Sequence, residues 1–348
     1  MKIALKCILA IVFTTIIFNL GCKKTDTVPF NLAVRNKILF TYIPYYLPAF
    51  YLGAIDRVDS LYGIWTVNND GTGRQKINIV LSYNTFIDNL IAPKMSPDKK
   101  TILFNANNPT SHTIYSCNAD GSNVKQLFAD DGGYIYVICD TYTVQQQQKL
   151  LFIRYHLGSS INSYVVPEFG TANIDGSNVQ NTNIVIPANY YFDTQYMYAQ
   201  MPKISADGKT ICFALKGADF NNYIYTANVD GSNVKPLPIS SSPLQDGFSI
   251  GGIYTLQQTP QIVYIKSNNI PDAVFSNLYG LTLQDITLSI YGNNGGLLKS
   301  APAKISRDGS KIFFNTSNKA IYSRNLDGSN VTRVLAPTIY EVLLGDTY

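Results

Sequence analysis

Residues Ile224–Val234 read IYTANVDGSNV, and the same phrase returns as IYSCNADGSNV at Ile114–Val124 and as IYSRNLDGSNV at Ile321–Val331. In each copy, β-branched and aromatic residues flank an Asp-Gly pair, whose glycine supplies the positive φ that a tight hairpin requires. Looser copies surround Asp70 and Asp175. The phrase therefore predicts a β-hairpin that recurs along the chain.

A second phrase alternates with the first and also encloses a turn. It reads ISADGKTICF at Ile204–Phe213, with related copies at Met95–Phe104 and Ile305–Phe314. A proline stands shortly before each copy, at Pro93, Pro202 and Pro302. Because short strands precede and follow both turns and no helical periodicity interrupts them, one pair of phrases predicts a unit of four strands.

The repeat has a regular period. The Asp of the first phrase falls at residues 70, 120, 175, 230 and 327, so the spacing is 50 to 55 residues with one double interval. We expect Leu278–Asp285 to fill that interval, as a copy that keeps the strand and loses the glycine turn. Four-stranded repeats of about 40 to 55 residues are typical of β-propellers, in which each repeat forms one blade.

The sequence therefore predicts an all-β fold, a single six-bladed β-propeller of four-stranded blades over residues 35–348. The first recognisable strand, near Lys37, has the pattern of a second strand in its blade. We expect the C-terminal run Ile339–Leu344 to supply the innermost strand of that first blade and so to close the propeller.

The pairing of Ser-x-Asp-Gly-Lys-x-Ile-x-Phe with Ile-Tyr-x-x-Asn-x-Asp-Gly-Ser-Asn-Val resembles the repeat of the TolB-like six-bladed β-propeller family. The resemblance extends over nearly all of the chain beyond the N-terminal segment, and it implies the propeller architecture. TolB itself carries an additional N-terminal domain for which this chain has no room. We therefore carry over the architecture and not a role in envelope constriction.

The N-terminal segment has the layout of an export signal. Residues 1–21 combine a short basic start with an apolar run from Ile8 to Leu20, which is shorter than the roughly 20 residues of a membrane span. The Gly21-Cys22 pair resembles a bacterial lipoprotein signal, which implies lipidation of Cys22; an ordinary cleaved signal is the alternative. Residues 22–34 are then a polar tether. We expect an exported protein whose only contact with the membrane is its lipid, on the bacterial cell envelope at the outer membrane, facing the periplasm or the surface.

Composition excludes several functions. Without Lys2 and Lys6, 25 basic residues stand against 23 acidic ones, which leaves no electrostatic footprint for nucleic acid. Some TolB-like propellers resemble pectate-degrading lyases that hold a metal with several histidines, and two histidines do not fill that pattern. The Asn-x-Asp-Gly turn also lacks the glycine position and the Glu of a calcium loop. We therefore predict no cofactor, no metal and no catalytic residue.

The cysteines beyond Cys22 are odd in number and lie partly in strand-like runs. They are Cys117, Cys139 and Cys212. We expect buried thiols and no disulfide framework.

The two ends of the strands differ in their connections. If each blade runs from inside to outside, both Asp-Gly turns lie on one face, the turn face. The connections between second and third strands and between blades then lie on the other, the loop face. All the variation in length falls there, at residues 42–60, 79–93, 128–148, 180–200, 238–255 and 265–277. Recognition residues are concentrated on such loops when the scaffold is rigid.

Tyrosines are concentrated in two of these segments. The candidate ligand-binding residues are Tyr45, Tyr46, Tyr51, Tyr190, Tyr191 and Tyr196, joined by His112 and His156 in neighbouring loops with Asp130, Asp131 and Asp140 between them. A tyrosine ring suits a protein interface or stacking on a sugar, although loops that fold over the blades would bury the same rings. We expect a non-catalytic binding or scaffold module that recognises an envelope protein through the loop face. The alternatives are a glycan-binding accessory lipoprotein and, third, a carbohydrate-active enzyme such as a polysaccharide lyase or hydrolase.

Overall fold

The structure, a computed structural model, describes residues 37–43, 62–88, 91–108, 111–129, 133–156, 164–193, 201–237, 249–256, 259–267, 271–277, 282–287, 303–306, 309–315, 320–336 and 341–347. The chain divides into two units, Met1–Arg35 and Asn36–Tyr348. The predicted signal at residues 1–21, Cys22 and the predicted tether at residues 22–34 lie outside the described residues. In the part of the chain that the structure describes, no helix is long and apolar enough to cross a membrane.

The described elements are all β-strands. The first thirteen are β1 (Lys37–Ile43), β2 (Ile64–Asn68), β3 (Gln75–Lys76), β4 (Phe86–Ile87), β5 (Lys94–Met95), β6 (Thr101–Asn107), β7 (His112–Asn118), β8 (Lys125–Gln126), β9 (Tyr134–Val144), β10 (Gln147–His156), β11 (Tyr164–Val165), β12 (Glu168–Asn173) and β13 (Gln180–Asn181). The remainder are β14 (Tyr190–Asp193), β15 (Lys203–Ile204), β16 (Thr210–Gly217), β17 (Asn222–Asn228), β18 (Lys235–Pro236), β19 (Ser249–Leu256), β20 (Thr259–Ser267), β21 (Pro271–Asn277), β22 (Thr282–Thr287), β23 (Lys304–Ile305), β24 (Lys311–Asn315), β25 (Ile321–Asn325), β26 (Thr332–Leu335) and β27 (Glu341–Thr347).

These strands pair antiparallel into four-stranded units, which we number along the chain. The units are β27-β1-β2-β3 (unit 1), β5-β6-β7-β8 (unit 2), β9-β10-β12-β13 (unit 3), β15-β16-β17-β18 (unit 4), β19-β20-β21-β22 (unit 5) and β23-β24-β25-β26 (unit 6). The short strands β4 and β14 pair with β6 and β16, next to β5 and β15. The predicted all-β fold is confirmed.

The first strands of the units form a closed cycle. In order, β27, β5, β9, β15, β19 and β23 each contact the next, and β23 contacts β27 again. The C-terminal strand β27 pairs with β1, placing Leu344 opposite Phe40 and Val342 opposite Tyr42. The predicted closure by the C-terminal strand is therefore confirmed, with the strand ending three residues later than expected.

The core between the strands is aromatic and follows the repeat. In units 2, 4 and 6, a Phe of the second strand stacks on the Tyr of the third strand. The pairs are Phe104–Tyr115, Phe213–Tyr225 and Phe314–Tyr322, with centroids 6.0, 6.0 and 6.2 Å apart. In unit 3, Gly170 stands at the Tyr position and Phe152 covers it, since a Cβ on Gly170 would lie 2.3 Å from the Phe152 Cζ.

The Asp-Gly turns lock each unit to the one before it. The turn glycines Gly71, Gly121, Gly176 and Gly231 all have positive φ, and a Cβ on each would lie between 2.3 and 2.8 Å from a backbone oxygen of the preceding unit. Within the turn, the Asn118 amide donates to the Ser122 Oγ at 2.9 Å, and Ser122 donates to Asp120. The Asn118 side chain therefore closes the turn through the serine hydroxyl.

The observed strands differ from the predicted segments in two ways. Segments assigned to loops at 128–148, 180–200, 238–255 and 265–277 contain β9, β14, β19, the end of β20 and β21. The copy expected at Leu278–Asp285 overlaps β22 (Thr282–Thr287), whereas the third strand of the unit is β21 (Pro271–Asn277); residues 278–281 lie outside the described residues. Both errors arise because β9, β19 and the unit 5 hairpin carry no Asp-Gly pair to mark their ends.

Candidate functional site

Four of the eight candidate binding residues are described by the structure. Tyr45, Tyr46, Tyr51 and Tyr196 lie outside the described residues, and their assignment to a binding site stays a prediction. Tyr190, Tyr191, His112 and His156 are described.

Tyr190 and Tyr191 are half-buried on strand β14. The Tyr190 ring meets the rings of Tyr223 and Tyr225 edge to face, with centroids 5.4 Å away in both cases. The Tyr191 hydroxyl donates to the Gly217 carbonyl oxygen at 3.3 Å. Both side chains therefore help to hold the inner part of unit 4 together.

The histidines lie at strand ends of neighbouring units. His112 begins β7 and makes the bridge between units 2 and 3 opposite Ile135, whereas His156 ends β10 and is exposed. Asp140 was expected in a loop between them, but it lies in the middle of β9, and Asp130 and Asp131 are outside the described residues. Within the described part of the chain, no three His, Cys, Asp or Glu side chains come together as metal ligands.

His156 instead belongs to a polar and aromatic cluster at the loop-face end of unit 3. Its ring lies against Tyr134 with centroids 4.0 Å apart, and the Arg154 guanidinium lies 4.8 Å from the centre of the same tyrosine ring. The Arg154 Nε and Nη2 donate to the Glu168 Oε2 at 2.8 and 2.7 Å. Beside Glu168, the side chain of Val166 is 65% exposed. We call Tyr134, Arg154, His156, Val166 and Glu168 the unit 3 cluster.

A second constellation lies at the centre of the cycle of first strands. The six residues of this inner ring, in unit order, are Asp346, Lys94, Asp140, Lys203, Gly252 and Lys304. They occupy corresponding positions on their strands. Five of them pair with the equivalent residue of the second strand, the one before the aromatic that recurs in the repeat. The lysine pairs are Lys94 with Leu103, Lys203 with Cys212 and Lys304 with Phe313. In the same way, Asp140 pairs with Leu151 and Gly252 with Val263.

The odd-numbered units reach this position through a β-bulge. The register shifts at Cys139 in β9, at Gly251 in β19 and at Gly345-Asp346 in β27. Such a bulge adds one unpaired residue and re-aims its neighbour. The ring therefore alternates, with a lysine from each even unit and a bulge residue from each odd unit.

One hydrogen bond recurs three times in the ring. The backbone N–H that follows each lysine donates to a side chain of the unit before it. The three bonds are Met95 to Asp346 (2.9 Å), Ile204 to Asp140 (3.1 Å) and Ile305 to the hydroxyl of Tyr254 (3.2 Å). A Cβ on Gly252 would lie 2.7 Å from the Tyr254 ring. Tyr254 therefore supplies the acceptor that Asp supplies in units 1 and 3, but without its charge.

The lysines are almost completely buried. Lys94, Lys203 and Lys304 are 2, 3 and 5% exposed. The Nζ atoms of Lys94 and Lys304 both lie 3.9 Å from the Asp346 Oδ1, and the Nζ of Lys203 donates to the Cys139 carbonyl oxygen at 3.4 Å. Buried ammonium groups need charged partners, because desolvation otherwise favours the neutral amine.

The pKa values of the three lysines shift in different directions, although the carboxylates of Asp140 and Asp346 act on all of them. Burial acts to lower the pKa of Lys94, but the carboxylates of Asp346 and Asp140 outweigh burial and raise it. Burial and the charge of Lys94 lower the pKa of Lys203 to about 8. Burial, with the charges of Lys203 and Lys94, holds the pKa of Lys304 well below its usual range. The two depressed lysines are those that flank Gly252.

Two of the three cysteines, Cys139 and Cys212, lie beside the ring. Cys117, Cys139 and Cys212 are buried and unpaired, as the sequence predicts. Burial raises the pKa of the Cys139 thiol to about 12. The thiols are therefore neutral and do not balance the lysines.

Sequence reasoning missed both the inner ring and most of the unit 3 cluster. The signal for the ring is a lysine that follows the proline before each second phrase: Pro93-Lys94, Pro202-Lys203 and Pro302-Ala303-Lys304. Arg154 and Tyr134 carry no such repeat signal, since their contact depends on the pairing of β9 with β10.

No protein-family model matches the chain, and no curated protein sequence matches it. Among solved structures, it is similar to one described as a nidogen/laminin complex, at 11% identity and a TM-score of 0.51, over 89% of this chain and 98% of that one. It is also similar to an oligogalacturonate lyase in complex with manganese (11% identity, TM-score 0.49, 78% and 70% of the two chains). The chain is similar as well to a putative TolB from Agrobacterium tumefaciens, at 15% identity and a TM-score of 0.47, over 71% of this chain and 79% of that one. These likenesses do not distinguish a binding protein from an enzyme. The likeness to the nidogen/laminin structure shows the fold alone, and that fold is a β-propeller.

Proposed function

We propose that the chain is a non-catalytic binding module that recognises a protein partner on the bacterial cell envelope through its loop face. The observation that carries this proposal is the unit 3 cluster, in which Arg154 and His156 both contact the ring of Tyr134 at the ends of paired strands. Tyrosine and arginine are enriched among the residues that dominate protein interfaces.

The cluster is ordered before any partner binds. Arg154 is held by two bonds to Glu168 and lies on β10, between β9 and β12. A side chain that is already fixed loses little rotamer freedom on association, which otherwise costs about 0.5 to 1.5 kcal/mol for each immobilised side chain. Val166, two residues before Glu168, adds an exposed apolar side chain. The chemistry suits a partner with an acidic or hydrogen-bond-accepting group next to an apolar one.

Binding of a glycan is the second candidate, and one observation favours it. Tyr83 is 84% exposed at the tip of the turn between Ser82 and Thr85, so its ring offers an open surface. Tyr134 and Tyr190 are half-buried, and their rings contact neighbouring aromatic side chains. We therefore rank the protein partner first.

The test uses the soluble chain that begins at Lys23. A partner captured from envelope fractions is identified, purified and titrated against the wild type and against Arg154→Ala and Tyr134→Ala. Each change is expected to weaken binding at least about tenfold. Lys209→Ala, at an exposed turn-face position, is the matched control and leaves the affinity unchanged. Equal affinities for all four proteins would contradict recognition by the unit 3 cluster.

Two further measurements separate the alternatives. A change of Tyr45, Tyr46, Tyr190 and Tyr191 together to Ser tests the remaining loop-face candidates, and binding that survives both sets of changes would refute recognition by this face. A glycan array with the wild type and Tyr83→Ser tests the second candidate, which requires a signal that the variant loses.

The envelope location rests on the lipoprotein-like signal and is tested separately. A Cys22→Ser variant is expected to lose incorporation of labelled fatty acid and to leave the membrane fraction. Retention of both properties would exclude Cys22 as the anchor, without bearing on the binding surface.

A further inference from the structure

The inner ring has an unbalanced charge at one defined place. Three lysines alternate with Asp346, Asp140 and Gly252, so the third carboxylate position holds no charge. Lys94 has a carboxylate in the unit on each side, whereas Lys203 and Lys304 have one each and share Gly252 between them. With all lysines protonated and both aspartates ionised, the ring carries one uncompensated positive charge.

No described side chain near Gly252 can supply the missing charge. The Tyr254 hydroxyl already accepts from the Ile305 N–H and donates to the Gly251 carbonyl oxygen at 3.1 Å. Burial raises its pKa, so it stays a neutral phenol. Cys139 and Cys212 are buried thiols whose pKa values burial also raises.

We propose that the inner ring binds one small monovalent anion, a halide or a formate-sized carboxylate, between the ammonium groups of Lys203 and Lys304. The anion would restore the alternation that Asp140 and Asp346 provide on the other sides of the same lysines. Ammonium groups are strong donors to anions, and a buried site of this kind strengthens each such bond. This site is separate from the unit 3 cluster and does not depend on the proposed function.

The burial of the lysines sets the size of the ligand. Side chains that are at most 5% exposed leave no open path for a peptide or a sugar acid, so we restrict the ligand to ions of about one to three heavy atoms. Binding keeps Lys203 and Lys304 protonated. At pH values above the depressed pKa values of these lysines, anion binding should therefore be accompanied by proton uptake. The affinity for the anion should increase as the pH falls. The ionisable groups facing the anion are Lys94, Lys203, Lys304, Asp140, Asp346, Tyr254, Cys139 and Cys212.

Bromide locates the site directly. Crystals of the wild-type chain soaked in sodium bromide are measured at the bromine absorption edge. The expected result is an anomalous peak within hydrogen-bonding reach of the Nζ atoms of Lys203 and Lys304. Peaks confined to surface lysines would overturn the proposal and would indicate that one ring lysine is a neutral amine instead.

The melting temperature gives an independent readout. At constant ionic strength, replacing gluconate by 0.2 M chloride or formate is expected to raise the wild-type Tm by about 2 to 5 °C, because an ion that binds only the folded state stabilises it. The anion that gives the larger rise in Tm, chloride or formate, shows whether the site prefers a halide or a carboxylate. Lys304→Met balances the ring and should abolish the shift, whereas Lys209→Met, an exposed control, should retain it. A shift in Lys304→Met equal to that of the wild type would refute the proposal. Should that variant fail to fold, the bromide result on the wild type decides.

Discussion

Replacing Asp346 by Asn removes one of only two carboxylates in the inner ring and keeps the shape of the side chain. An amide oxygen at this position can still accept the Met95 N–H that the carboxylate accepts at 2.9 Å. What is lost is charge, since the Oδ1 lies 3.9 Å from the Nζ of both Lys94 and Lys304. The ring then holds three lysines and one aspartate, and its net charge rises from +1 to +2.

The cost follows from the burial of these groups. Removing one partner of a buried ion pair costs roughly 3 to 5 kcal/mol. The side chain of Asp346 is 19% exposed, and both distances are at the long end for an ion pair, so we expect a value near the lower limit, about 3 kcal/mol. Lys304→Met lowers the ring charge to zero and should be neutral or stabilising. The double variant returns the charge to +1 and should therefore be more stable than Asp346→Asn alone.

Urea denaturation at pH 7 in gluconate buffer, without chloride, measures all four free energies of unfolding. The expected coupling between the two changes exceeds about 1 kcal/mol, which is above the usual error of additivity. If Asp346→Asn costs less than about 1 kcal/mol, or if the two changes add, the ring charge does not govern stability and the reasoning fails.

Three further changes test the turns, the lysines and the closure. Gly231→Ala should destabilise the protein clearly more than Gly328→Ala does. Both glycines have positive φ, which costs an L-residue about 1 to 2 kcal/mol, but only at Gly231 would the new Cβ meet a backbone oxygen of the preceding unit, at 2.3 Å. Equal denaturation midpoints for the two variants would contradict this contact between units. In chloride-free buffer, Lys203 loses its proton near pH 8 in the folded state and near pH 10.4 in the unfolded state. The free energy of unfolding of the wild type, relative to that of Lys203→Met, should therefore rise by about 3 kcal/mol between these two pH values and stay level below pH 8. Urea titrations that give the same difference at every pH would argue against a charged, buried Lys203. A chain ending after Pro337 lacks β27, whose Val342, Leu343 and Leu344 are at most 2% exposed, and should lose its cooperative melt; an unchanged Tm would rule out closure by this strand.

The local part of the fold was predictable because its chemistry lies within a few neighbouring residues. The Asp-Gly pair at Asp230 marks the turn between β17 and β18, since positive φ and the Asp-to-Ser bonds are both local. The closing strand was predictable by counting the strands of the first unit. The strand that begins at Lys37 has the pattern of a second strand, so the first strand of that unit must come from elsewhere in the chain. No comparable signal marks β9 or β19, which run through segments assigned to loops.

The inner ring could not be derived in the same way, because it depends on register across six strands that are distant in sequence. A bulge at Cys139 or Gly251 shifts the next residue into the ring. Cysteine does not indicate a bulge, and a glycine within a strand permits one without defining which residue it moves. The lysines did carry a signal in their repeated position after a proline, but a lysine in a strand is normally exposed. Its burial follows only from the closed cycle of first strands.

The junction between units 4 and 5 differs from its counterparts in two independent respects. In unit 2, Asn105 donates to the Tyr136 carbonyl oxygen and accepts from the Ile138 N–H of the next unit, and in unit 6 Asn315 donates to the Val342 carbonyl oxygen. The corresponding residue of unit 4 is Ala214, which makes no such clasp. Gly252 lies across this same junction.

The loss of a side-chain clasp and the loss of a carboxylate therefore coincide at one place. A neutral ring lysine would relieve the charge without explaining why the clasp is missing there too. A bound anion between Lys203 and Lys304 would link units 4 and 6 across Gly252 of unit 5 and so offset both lost interactions. The same reasoning predicts that Lys304→Met, which balances the charge, cannot restore the contact between units 4 and 5. Amide exchange at Ile250 should therefore slow when chloride is added to the wild type and stay unchanged in the variant, and equal slowing in both would place the effect of chloride elsewhere.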